Sequence, residues 1–145
     1  MDLIGLALIQ TAESSPRASS IVQAIGLGMV IVFVFSVIAS GFAAKRIENL
    51  HAPTYSKAFL ATMLKNLVGL TAFFVFGLFF QAPWYVAMGV AWGLVPIFIY
   101  KIVFDSSYGE ATIIWLVATI VEVGVGYLLT VVGLVSLAAM TGGTG

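Results

Sequence analysis

Charged residues are scarce in this chain, and cysteine is absent. Of the 145 residues only 8% are charged, six acids and six bases, while 61% are hydrophobic. An average soluble domain is about 25% charged and about 45–50% apolar, so the composition excludes a soluble globular domain and intrinsic disorder. The acids and bases cancel, which leaves no basic face for nucleic acid. Without cysteine there is no disulfide, no thiolate metal site and no cysteine nucleophile.

Histidine is almost as scarce. His51 is the single histidine, and it lies between two long apolar runs rather than within one. Haem sites and di-iron helix bundles use histidines on their helices, and the apolar runs of this chain contain none. The chain also has neither a Gly-x-Ser-x-Gly motif nor a phosphate-binding loop. The sequence therefore predicts no enzyme, no metal and no cofactor. Bound lipid or pigment stays open, because such ligands dock through apolar contacts.

What the chain does have is four long apolar runs. Each approaches or exceeds the roughly 20 helical residues that cross about 30 Å of hydrocarbon, and each is continuous, unlike the alternating segments of a barrel. We expect an all-α integral membrane protein, with four transmembrane helices in a compact bundle and no soluble domain. Residues 21–140 form this single domain, with spans at about 21–44, 59–80, 84–103 and 112–138.

The two ends differ from the spans. Residues 1–20 are predicted to form a separate segment, apolar over Met1–Thr11 but too short to span, with a turn around Pro16 that bars helix continuation. The segment is interpreted either as an interfacial helix or as a loosely ordered terminus. Residues 141–145 are predicted to be a flexible tail because they are rich in glycine.

The bases predict an orientation. Five of the six fall between the first and second runs, just beyond them, or between the third and fourth: Lys45, Arg46, Lys57, Lys65 and Lys101. Because cytoplasmic loops carry the excess of Lys and Arg, both termini should face away from the cytoplasm. The compact chain favours a bacterial inner membrane. The basic loop 45–57 is also a candidate contact for anionic lipid or a partner, through Lys45, Arg46 and Lys57.

Glu122 is the most informative residue, because it is the single acid within the fourth run. It lies about ten residues into that run, roughly 15 Å deep, where a bare carboxylate costs about 2.5–3.5 kcal/mol. It is interpreted either as an ion or proton site or as a structural partner. Lys65, beside Asn66 near the start of the second run, is the candidate counter-charge. The sequence favours instead a Lys65 that snorkels to the headgroups, on a lipid-facing lead-in that begins at Lys57.

Small residues recur at helical spacing. Gly89 and Gly93 form a Gly-x-x-x-Gly pair in the third run, and Gly28, Ser36 and Ser40 lie on the first. Such faces let helices approach closely, either within one bundle or against helices of another chain. Pro96 removes a backbone hydrogen bond and is expected to kink the third span.

These features favour a structural or accessory subunit of a larger membrane complex, with lipids and other membrane subunits as partners. One alternative is a proton, cation or small-solute transporter or channel that uses Glu122. A second alternative is a membrane-anchored interaction module that uses loop 45–57.

Overall fold

The computed structural model describes residues 16–48, 50 and 52–141. Within these residues the chain forms helices and no strand. The elements are α1 (Pro16–Arg46), α2 (Tyr55–Phe74), a π-helical segment (Val75–Phe79), α3 (Trp84–Met88), a second π-helical segment (Gly89–Leu94), α4 (Val95–Phe104) and α5 (Tyr108–Thr141).

These elements combine into four helical runs that are long and apolar enough to cross a membrane. They are Ser19–Arg46, Tyr55–Phe79, Trp84–Phe104 and Tyr108–Gly133, called below the first to fourth spans. The all-helical architecture with four spans was predicted. The second and fourth spans each begin about four residues earlier than expected.

Local capping explains these earlier starts. Thr54 has extended backbone angles, and its side chain accepts a hydrogen bond from the Lys57 amide at 3.2 Å, so α2 begins at Tyr55. Ser107 and Glu110 form a reciprocal capping box, in which each side chain accepts the other residue's amide, at 3.3 and 2.7 Å, ahead of α5.

The ends of the chain are described only in part. Pro16 is the first residue of α1, a position that tolerates the missing N–H, so residues 16–20 continue into the first span rather than forming a separate segment. The predictions for residues 1–15 and 142–145 lie outside the described residues.

The third span shows how Pro96 is accommodated. Proline has no N–H to donate to the carbonyl of Trp92, four residues earlier. The indole nitrogen of Trp115, on the fourth span, donates to that carbonyl at 2.9 Å. The π-helical segment Gly89–Leu94 ends just before Pro96, in line with the tendency of such segments to mark irregular points in helices.

The tightly packed core lies at one end of the bundle. We call the end of the bundle at Arg46, Tyr55 and Phe104 the loop end, and the end that carries the 80–83 connection the turn end. Alanines supply much of the core at the loop end, which lets the helices approach closely. The core comprises Ala43, Ala44, Leu50, Ala58, Ala61, Tyr100, Phe104, Ala111, Ile114 and Ala118.

Toward the turn end the packing is looser. The first and fourth spans keep an extensive contact, but Ile21, Val22 and Ile25 of the first span are all more than half exposed. Large apolar side chains are exposed along every span, as expected of a surface that faces lipid.

The second and third spans approach closely at Gly69. A Cβ atom there would lie 2.8 Å from the carbonyl oxygen of Ala91. The expected packing at Gly89 and Gly93 is not seen within the described part of this chain, since a Cβ atom at either would meet nothing within 4 Å. Gly28 is in ordinary contact, with its Cβ position 4.0 Å from Leu129 Cδ1.

Candidate functional site

A buried ion pair joins three of the four spans. The ammonium group of Lys65, on the second span, donates to Oε1 of Glu122, on the fourth. Ser36, on the first span, donates its hydroxyl to the same carboxylate oxygen, and its Oγ also accepts from Lys65 Nζ at 3.1 Å. All three groups are thus held by one another within the apolar bundle, as buried charges require.

The sequence favoured a snorkelling Lys65, and the structure corrects this. Because α2 begins at Tyr55, Lys65 lies ten residues into the 25-residue second span, near its middle. Its side chain is only 6% exposed. Ala58 and Ala61, on the same helix face, are fully buried, so this face packs against the bundle rather than along lipid.

Glu122 occupies a central position on its helix. It is close to the middle of the 26-residue fourth span, and its side chain is 23% exposed. The pair is therefore asymmetric: the ammonium group is almost enclosed, whereas the carboxylate reaches a surface of the bundle.

Toward the loop end the cluster is closed. Thr62, one helical turn before Lys65, is fully buried. The fully buried ring of Tyr100 has its centroid 5.8 Å from Lys65 Nζ. Ser40 is fully buried as well, and its hydroxyl donates to the Ser36 carbonyl of its own helix at 2.8 Å. Beyond these residues lies the alanine-rich core, so buried side chains separate the ion pair from the loop end.

Toward the turn end the carboxylate opens onto a groove. The groove has a volume of about 730 Å³ and receives side chains from all four spans. Its lining is mostly apolar, with Ser36, Asn66 and Glu122 as the polar members. The lining residues are Gly28, Met29, Val30, Val32, Phe33, Ser36, Asn66, Trp92, Glu122, Gly126 and Leu129.

Asn66 borders the groove but does not join the ion pair. Its side chain is exposed, and neither its amide nor Oε2 of Glu122 has a hydrogen-bond partner among the described residues. The predicted group of Glu122, Lys65 and Asn66 is thus brought to one place, with two members in contact. Sequence reasoning missed the role of the Ser36 hydroxyl, which looked like a small packing residue.

The basic residues at the loop end form a second group. Lys45 Nζ lies 4.1 Å from the centroid of the Tyr55 ring, and the Arg46 guanidinium lies 4.9 Å from that of Phe42. Lys57, on the first turn of α2, is half-buried. These bases flank the connection between the first two spans, while His51 lies outside the described residues.

The arrangement offers a limited chemistry. Within residues 16–48, 50 and 52–141, no three His, Asp or Glu side chains are close enough to hold a metal ion together. The Glu122 carboxylate, which lines the groove, can accept a hydrogen bond or contact a cation. The groove can accept an apolar body from the turn end.

Comparisons with known proteins place no constraint on these interpretations. No family model, curated protein or solved structure matches the chain.

Proposed function

We propose that this chain is a structural or accessory subunit of a larger membrane complex. The observation that carries the proposal is the uncovered glycine pair on the third span. Glycine inside a helix destabilises it by about 0.8–1.0 kcal/mol relative to alanine. Close packing against a neighbouring helix can offset this loss, but among the described residues nothing packs closely against Gly89 or Gly93.

A helix from another subunit would account for both glycines. Two glycines four residues apart lie on one face and let a second backbone approach closely. Gly69, which does meet a neighbour within this chain, serves as the internal comparison: there the close contact is made by the Ala91 carbonyl.

The test replaces Gly93 with leucine. The new side chain has open space within the chain's own fold, so the bundle is expected to form normally while the larger complex is lost. The control is Ile102→Phe, a bulk increase on the same span at a side chain already 72% exposed. Native mass spectrometry after extraction in mild detergent measures assembly. A parent chain that emerges alone, or a Gly93→Leu chain that still assembles, contradicts the proposal.

We place the protein in a bacterial inner membrane with its loop end in the cytoplasm. The bases at that end, Lys45, Arg46, Lys57 and Lys101, support this orientation. The absence of cysteine makes single-cysteine labelling clean. A membrane-impermeant maleimide should label Ala82→Cys in intact cells, and Ser56→Cys only after permeabilisation. The reverse pattern would invert the orientation.

Ion transport is the second candidate, favoured by the carboxylate that opens onto the groove. A proton or cation entering from the turn end would reach Glu122 and compete with Lys65 for it. Transport would then require the closed loop end to open.

Flux in liposomes separates the two candidates. Glu122→Gln should abolish flux if the carboxylate binds the ion, whereas Glu110→Gln, at the loop end of the same helix, should leave flux unchanged. Flux that survives in Glu122→Gln rejects this role for Glu122.

A further inference from the structure

The groove ends on two polar groups whose hydrogen bonds are unmade. Glu122 and Asn66 both line the groove, and among the described residues no hydrogen bond is made to Oε2 of Glu122 or by the Asn66 amide. In hydrocarbon an unsatisfied polar group costs several kcal/mol. An occupant that completes these hydrogen bonds is therefore favoured over a purely apolar one.

The position of these groups limits what the occupant can be. Glu122 lies near the middle of the fourth span, roughly 15 Å from either surface of a hydrocarbon core of about 30 Å. A phospholipid headgroup stays at the interface, and its acyl chains have no donor. The hydrogen-bonding head has to belong to a molecule that dissolves in the hydrocarbon.

The charge of the ion pair and the shape of the groove limit the chemical class of the occupant further. Lys65 already offsets the charge of Glu122, so a neutral head fits better than a cation. The apolar lining continues from Glu122 to Leu129, about 10 Å along the helix axis. The volume of about 730 Å³ falls within the range of small-molecule pockets.

We propose that the groove binds a lipophilic alcohol or phenol, with its hydroxyl between Glu122 and Asn66 and its apolar tail directed toward the turn end. The hydroxyl donates to the free carboxylate oxygen and accepts from the amide of Asn66. This site is independent of the glycine face on the third span, so its failure leaves the proposed subunit role untouched.

The probe is a long-chain alcohol that carries a diazirine on its chain. The full-length protein in phosphatidylcholine nanodiscs is irradiated with the probe, and the adducts are mapped by mass spectrometry. The methyl ether of the same molecule is the comparison, because it has lost the donor but keeps the tail. We expect the alcohol to label the groove residues Met29, Val32 and Leu129 at least about fivefold more than the ether does, as one hydrogen bond predicts.

Two variants test the site without breaking the ion pair. Gly126→Leu fills the groove, where a Cβ atom meets nothing within 4 Å, and should abolish groove labelling. Gly133→Leu, two turns along the same helix and equally open, is the matched control and should label as the parent does. Asn66→Leu, at an exposed side chain, removes a donor from which both the hydroxyl and the ether oxygen can accept, so it should lower groove labelling by both probes while the preference for the alcohol remains.

Three results would overturn the proposal. One is equal labelling of the groove by alcohol and ether. Another is groove labelling that survives in Gly126→Leu. The third is crosslinking of these groove residues to a second polypeptide, which would assign the groove to a partner helix.

Discussion

Breaking the ion pair one partner at a time should destabilise the bundle far more than removing both partners. Lys65→Met leaves the Glu122 carboxylate with the Ser36 hydroxyl but no counter-charge, and Glu122→Leu leaves the ammonium group with Ser36 and the Tyr100 ring but no counter-charge. Removing one member of a buried ion pair costs about 3–5 kcal/mol, whereas replacing both with apolar residues of similar volume is close to neutral.

The structure ranks the two single variants. The Lys65 side chain is 6% exposed and that of Glu122 is 23% exposed. The ammonium group left unpaired by Glu122→Leu is therefore more completely shielded from solvent than the carboxylate left unpaired by Lys65→Met, which can turn toward the groove. We expect Glu122→Leu to cost about 4–5 kcal/mol, Lys65→Met about 3 kcal/mol, and the double variant no more than about 1–2 kcal/mol.

The assay is unfolding in mixed micelles at rising dodecyl sulfate fraction, followed by far-ultraviolet circular dichroism. Lys101→Met is the control, since that ammonium lies near the end of α4 at 4.8 Å from the centroid of the Tyr108 ring, and its loss should cost about 0.5–1 kcal/mol. If a single variant does not fold at all, rescue by the second substitution becomes the readout. A double variant that loses as much as the two singles together would refute the reasoning, because it would show the two groups to act independently.

Two further predictions use the same unfolding measurement. Gly69→Ala should be less stable than Gly77→Ala by about 1–3 kcal/mol, because only the methyl group at position 69 clashes with a backbone carbonyl. Both substitutions gain the same helix propensity. Equal stabilities of the two variants would mean that the close approach at Gly69 is not rigid. Ser107→Ala should cost about 1 kcal/mol because the amide of Glu110 loses its cap. The same change at Ser136, whose hydroxyl bonds only to its own helix, should be nearly neutral, and an equal loss at both would contradict the capping interpretation.

The number and kind of helices could be predicted because they depend on the length of apolar runs. A span has to satisfy its own backbone, so a continuous apolar run of about 20 residues already fixes an element and its approximate position. Helix starts depend instead on single polar side chains. The Ser-x-x-Glu pattern at Ser107 and Glu110 is a sequence signal for one start, and it places the beginning of the fourth span at Tyr108 rather than at residue 112.

The ion pair could be predicted only as one of two alternatives. The sequence contains one lysine and one glutamate at plausible depths, but it does not say which helix faces meet. If the second span begins at residue 59, Lys65 lies near its edge, where snorkelling is favourable. Because the helix begins at Tyr55, Lys65 lies near the middle of the span instead. The role of Ser36 depends wholly on the neighbouring helices.

The packing of the glycines could not be predicted from the sequence either, because it also depends on which helix faces meet. Gly69 and Gly89 look alike in the sequence, since both are small residues on an apolar helix. Only the arrangement of the second and third spans shows that the first lies against a backbone carbonyl and the second lies against nothing in the described chain.

The ion pair has a consequence for the order in which the protein can be made. If the four spans cross a membrane as proposed, Lys65 enters it with the second span, but its carboxylate partner lies 57 residues later, on the fourth span. An unpaired lysine at the centre of a membrane helix costs about 2.5–3.5 kcal/mol on insertion, and its carboxylate partner is not available until the ribosome has passed residue 122. A nascent chain that stalls before the fourth span would then hold an unpaired charge in the bilayer. Completion of the fourth helix supplies Glu122, which pairs with Lys65 and so neutralises this charge.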